Sequence, residues 1–125
     1  MSKVQRYEDL VAWQKARALT REIYSMTRGP EFARDFRLVD QIRAAAVSIM
    51  SNLAEGFERG STAEFSRFVM IAKGSCAELR SQLYVALDAG HVSQQQFDDA
   101  QASANEVARL LGGLRLALER RKVAK

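Results

Sequence analysis

Apolar positions recur at helical spacing in four stretches of the chain, separated by short breaks. The densest stretch is Gln41 to Gly60, where Ile42, Ala46, Ile49, Leu53 and Phe57 step by three or four residues. Val47, Met50 and Ala54 widen that arc well past the roughly 100° that one core-facing stripe needs, so this helix is expected to have something packed on two sides. Before it, Ala12, Ala16, Leu19, Ile23 and Met26 form a stripe flanked by Trp13 and Tyr24, which predicts a first helix over residues 8–27. Gly29-Pro30 stops it, because proline disfavours helix in the residue before it and glycine suits a left-handed cap. Phe32 in the connector is expected to plug one end of the core.

The second helix is expected to start between Asp35 and Asp40, with Asp35 the preferred cap, and to run to about Arg59. Gly60 ends it, and Ser61-Thr62-Ala63-Glu64 has the form of a capping box that starts a third helix at once. The third helix directs Phe65, Phe68, Ala72, Cys76, Leu79, Leu83 and Leu87 at the core and ends at Gly90. A second capping box, Ser93 to Gln96, opens a fourth helix with Phe97, Ala100, Ala104, Val107, Leu111, Leu114 and Leu118 at heptad period. Four helices, short loops and alternating direction predict an all-α fold, an up-down antiparallel four-helix bundle. Gly112 and Gly113 interrupt the last helix; close contact with a neighbouring helix is the expected reason, and a bend the alternative.

At 125 residues the chain has the size of a single domain, 1–125, and enough surface to bury a real core without staples. With 47% hydrophobic and 27% charged residues, one proline and seven glycines, the composition excludes a disordered or all-β chain. The apolar run Phe68 to Ala72, which no other run exceeds, is far short of the ~18 residues of a membrane span. The first ten residues, MSKVQRYEDL, carry no apolar segment of a signal peptide, and the single cysteine, Cys76, has no internal partner for a disulfide. A cytoplasmic location is the expectation. The net charge of +4 and the pI near 9.6 are mildly basic, compatible with nucleic acid without demanding it.

Enzymatic constellations are absent from the pattern: there is no glycine-rich phosphate loop, CxxC or HExxH, and no Glu-x-x-His pair of the diiron type. The sole histidine, His91, follows Gly90 in a turn, where a structural role beside a helix C-terminus is expected. Cys76 sits on an apolar stripe and is expected to be a small core residue. No metal or cofactor is implied. One polar feature remains. Gln41, Ser48 and Glu55 recur every seven residues with Asn52 between them, stacking four hydrogen-bonding side chains along one line of the second helix, and Ser75 and Glu78 of the third can face it. Two readings stand: a ligand or catalytic pocket with Glu55 as base, and a buried hydrogen-bond network that fixes helix register, which is the preferred one.

Several segments together resemble a known family. They are LVAWQKA from Leu10 to Ala16, Ile23-Tyr24, Gln41-Ile42-Arg43, Ala46-Val47-Ser48-Ile49, Asn52-Leu53-Ala54-Glu55-Gly56, Ala72-Lys73-Gly74-Ser75 and Glu78-Leu79. The resemblance covers nearly the whole chain and is to the four-helix-bundle proteins encoded within intervening sequences of bacterial large-subunit ribosomal RNA genes. That family is structurally related to the accessory variability protein of diversity-generating retroelements. The resemblance implies a ring-shaped homopentamer with no assigned catalytic residues, and nucleic-acid binding by a basic surface. One departure is Met50, where the family usually has a proline that would kink the second helix.

The expected function is therefore that of a non-enzymatic homo-oligomer, a pentamer first, that binds RNA or DNA without sequence readout and touches no membrane. Candidate contacts are Arg120, Arg121 and Lys122 at the end of the last helix, and Arg34 and Arg37 near the start of the second. The alternative is a protein-binding scaffold or assembly factor that binds no nucleic acid.

Overall fold

Tyr7–Asp9 forms a single 3-10 turn, and the computed structural model continues with α1 (Val11–Thr27), the one-turn α2 (Pro30–Ala33), α3 (Phe36–Glu58), α4 (Thr62–Asp88) and α5 (Gln94–Ala124). It describes residues 4–124, with side chains through Arg121, and among them there is no strand. α1 and α4 each pack against both α3 and α5, so they face one another diagonally. The result is an all-α, up-down antiparallel four-helix bundle.

The helix ends follow local chemistry. Asp35 caps α3 by accepting from the Leu38 N–H at 3.2 Å. Ser93 and Gln96 make the reciprocal bonds of a complete capping box, at 3.1 and 2.8 Å. At Ser61 only half of the expected box forms: its hydroxyl accepts from the Glu64 N–H, while the Glu64 carboxylate turns to Arg67 and Arg59. Gly60 and Gly90 take left-handed φ of 84° and 79° at their turns. Gly29 does not; its φ is −60°, and it caps α2, with Pro30 in the first turn where a missing N–H costs nothing. The first helix is also shorter than its periodicity suggests. The Asp9 carboxylate accepts from the N–H groups of Gln5 and Arg6, closing the 3-10 turn, and extended backbone at Leu10 tucks that side chain into the bundle before α1 begins.

The core follows the spacing. Ile42, Ala46, Ile49 and Leu53 of α3 and Ala72, Cys76, Leu79 and Leu83 of α4 are fully buried, together with Ala100, Ala104 and Leu111 of α5. Phe32 closes the core at one end, stacked on His91 with ring centroids 5.1 Å apart. α3 runs unbroken through Met50, with no stop where the resembled family carries proline. Gly112 and Gly113 require a correction: nothing approaches Gly113 within 4 Å, the nearest group to Gly112 is the Lys73 amine at 3.8 Å, and α5 continues through both. The close helix approach occurs instead at Gly56, where a Cβ would lie 2.6 Å from the Phe68 Cβ and 3.1 Å from the Phe65 ring.

Candidate functional site

The polar line on α3 faces the α4 groove, as the heptad spacing requires, but only its middle is joined. Ser48 and Ser75 share a 2.8 Å hydrogen bond across the two helices, and the Asn52 amide donates to the Ser48 carbonyl at 2.8 Å and to its hydroxyl at 3.0 Å. All three are partly buried. Gln41, Glu55 and Glu78 are exposed in the single chain, so the expected six-residue buried network is here a three-residue one. Glu55 has turned outward by the end of α3 and pairs with Arg59 at 2.8 Å, one turn on. Sequence reasoning missed Gln82, which lies on the same side of α4; its residue is 9% exposed and its carbonyl oxygen is buried without a hydrogen bond.

A larger feature lies on the outside of α4. Met70, Ile71, Gly74, Ala77, Ser81, Tyr84 and Val85 are all exposed, and at 100° per residue they fall on the side of the helix opposite its core stripe. Met70, Ile71, Tyr84 and Val85 are 42–58% exposed, and Glu78 is the one charged residue on that outer face between Met70 and Val85. The two-sided helix is thus α4 more than α3, where Val47 is the exposed member of the widened arc while Met50 and Ala54 are partly covered. The signal was present in the sequence as apolar residues off the α4 stripe.

The candidate cations fall into two separated groups. Arg34 and Arg37 lie at the end of the bundle that holds α2 and the α4–α5 turn; Arg120 and Arg121 lie at the opposite end, about 35 Å away along α3. Lys122 has its side chain outside the described residues. All four arginines are exposed, and their guanidinium groups make no ion pair or hydrogen bond among the described residues. Other arginines are committed to structure: Arg43 donates to the Thr27 hydroxyl and stacks over Tyr24, and Arg59 and Arg67 pair with Glu64 and lie over Phe68. Between Arg34 and Arg37 stands Phe36, 78% exposed, the most exposed large apolar side chain described. Asp35 beside it is occupied by the Leu38 cap and by His91, whose Nε2 lies 3.0 Å from Oδ2. That His91 bond first, and the Leu38 N–H second, hold the Asp35 carboxyl below its ordinary range.

Cys76 is buried and donates to the Ala104 carbonyl, and desolvation pushes its thiol pKa up, against the smaller pull of Arg80 and Lys73, the reverse of an activated nucleophile. Among the described residues no His, Cys, Asp and Glu cluster has the makings of a metal site, and no helix is long and apolar enough to cross a membrane.

The sequence matches the family described as 23S rRNA-intervening sequence protein over residues 8–113. Among curated proteins, none matches. Among solved structures, the fold is similar to the crystal structure, at 1.70 Å, of a protein of unknown function from the S23 ribosomal protein family of Bacteroides thetaiotaomicron. The two share 20% identity and a TM-score of 0.77, over 84% of this chain and 98% of that one.

Proposed function

This chain belongs to the 23S rRNA-intervening sequence protein family, and from that premise we propose that it acts in the cytoplasm as a non-enzymatic homo-oligomer, pentameric by preference, that binds nucleic acid electrostatically. The observation that carries the reading is the outer face of α4. A helix apolar on two sides leaves one side wet in a lone bundle, and contiguous exposed apolar surface of this kind marks a protein contact. On α4 that face carries Met70, Ile71, Tyr84 and Val85, all exposed. A heterologous contact whose repeated rotation closes makes a ring. In such a ring Gln41, Glu55 and Glu78, exposed at the edges of the face, gain partners across the subunit boundary.

Assembly also multiplies a weak charge. Each chain contributes +4, and repeating the unpaired Arg34, Arg37, Arg120 and Arg121 around a ring builds a field that one chain lacks. Phe36 adds a flat apolar surface between two cations, the combination on which unpaired bases stack. Nothing in the arrangement offers base-edge recognition, so binding is expected to be indifferent to sequence.

A salt-dependent titration tests this. Binding should weaken log-linearly with salt, with a slope of about −0.7Z on single strands for Z neutralised phosphates. Reversing Arg120, Arg121 and Lys122 to glutamate should flatten that slope equally on unrelated sequences. If wild-type protein binds neither RNA nor DNA at about 50 mM salt, where such contacts are strongest, the nucleic-acid reading fails and the scaffold reading takes its place.

A further inference from the structure

At the end of the bundle that carries the α5 C-terminus, a cavity of about 300 Å³ opens between Val4, Leu10, Phe57, Phe65, Leu114 and Arg121. We propose that it binds an amphipathic organic monoanion, with an apolar body in the cavity and a single acid group on Arg121. The walls come from four places in the chain: the segment before α1, the end of α3, the start of α4 and the last turns of α5. Phe57 and Phe65 stand edge to face, 5.8 Å apart at 88°, and fix one wall. Gly56 makes that wall possible, because the absence of a Cβ lets Phe65 and Phe68 seat directly on α3. A second hollow of about 160 Å³ shares Phe57, Phe65, Leu118 and Arg121 with the first, so Arg121 sits where the two meet.

The chemistry of the lining selects the ligand. Every lining side chain of the larger cavity except Arg121 is apolar, and no carboxylate lines either hollow. The Arg121 guanidinium makes no ion pair or hydrogen bond among the described residues. Arg121 is the one cation lining either hollow, and its planar fork suits a carboxylate. The volume is at the lower limit of small-molecule pockets, which excludes a whole phospholipid and admits a medium-chain or aryl acid. This inference stands independently of nucleic-acid binding.

Calorimetric titration with sodium decanoate tests it, with 1-decanol as the uncharged match and acetate as the acid lacking a body. Decanoate should saturate one site per chain, bind at least about tenfold more tightly than decanol, and acetate should not bind. Arg121→Gln should bring decanoate down to the affinity of decanol. Ala117→Trp, at an exposed position on the cavity wall, should block both while the far-ultraviolet dichroism stays helical. Ring-proton shifts on decanoate addition should centre on Phe57 and Phe65, which locates the site even if Ala117→Trp fails to fold. Absence of saturation with millimolar decanoate, equal affinity for decanoate and decanol, unchanged affinity in Arg121→Gln, or shifts centred on Tyr84 and Val85 would each overturn the proposal.

Discussion

The Nε2 of His91 lies 3.0 Å from Oδ2 of Asp35, and this one contact ties the α4–α5 turn to the start of α3, 56 residues earlier. Asp35 uses its other oxygen to cap α3, and His91 stacks on Phe32, so two loops and a helix start share one cluster. The lowered Asp35 pKa has a definite linkage sign. Its folded value lies below its unfolded value, so the stabilisation is present above the unfolded value, near pH 4, and is lost as pH falls through the folded one. Asp35→Asn and His91→Ala should each lower Tm at pH 7. The gap to wild type should shrink as melting curves are taken below about pH 4; a gap constant down to the acid limit contradicts the assignment.

Glycines give opposite outcomes at two places. Gly56→Ala forces a Cβ against the Phe68 Cβ, which is held by its own backbone, and should cost about 1–3 kcal/mol, a fall of several degrees in Tm. Gly113→Ala meets open space in a helix and Gly112→Ala only ordinary contact with the flexible Lys73 amine, so each should stabilise by about 0.5–1 kcal/mol. Thermal denaturation of the three variants distinguishes these directions.

That contrast shows what the sequence disclosed. Helical spacing reports which side of a helix is apolar, so the core stripes from Ala12 to Leu118 were legible. It is silent on the distance between two helices, so Gly56 stayed hidden inside an apolar stripe while the conspicuous Gly112-Gly113 pair invited an explanation it did not need. The same limit applies to the polar line. Period seven identified Ser48, Asn52 and Ser75 as neighbours, but a drift of about 20° per heptad carries an α-helix off any strict seven-residue line, and Glu55 reached solvent. The second apolar side of α4 is present in the sequence as Met70, Ile71, Tyr84 and Val85, but spacing alone does not say which apolar side of a helix faces the core of its own bundle. Phe36 had no periodic signature: its 78% exposure is a property of packing alone.

For the polar line, Ser75→Ala removes the cross-helix partner of Ser48 and should cost about 1 kcal/mol. Glu55→Ala breaks an exposed pair with Arg59, and as a folded-chain effect should stay within about 0.5 kcal/mol. Chemical denaturation under conditions that dissociate any assembly compares the two; a larger loss for Glu55→Ala places its carboxylate in a buried network.

Cys76 is fully buried with a raised thiol pKa. Ellman's reagent at pH 8 should therefore leave the native protein unlabelled over minutes and modify one thiol per chain once it is unfolded in guanidinium. Prompt labelling of native protein would show that the α4–α5 interface opens on that timescale.

Phe36 should matter to single strands more than to duplexes. Phe36→Ala is expected to weaken single-stranded binding by about 1–3 kcal/mol per stacked base and to leave the salt slope unchanged, because no phosphate contact is lost. Arg34→Glu with Arg37→Glu should change the slope instead. Equal losses on duplex and single strand for Phe36→Ala would remove the stacking role.

The central claim, that the outer face of α4 joins copies of this chain, is tested most directly by the mass in solution. Light scattering coupled to size exclusion should give a single species several times the 14.0 kDa chain mass, fivefold in the preferred ring. Ala77→Glu with Val85→Glu, both on the exposed face, should reduce it to one chain without loss of helix, whereas Val11→Glu, exposed on α1, should leave it whole. A wild-type peak at 14.0 kDa at micromolar concentration would contradict the account.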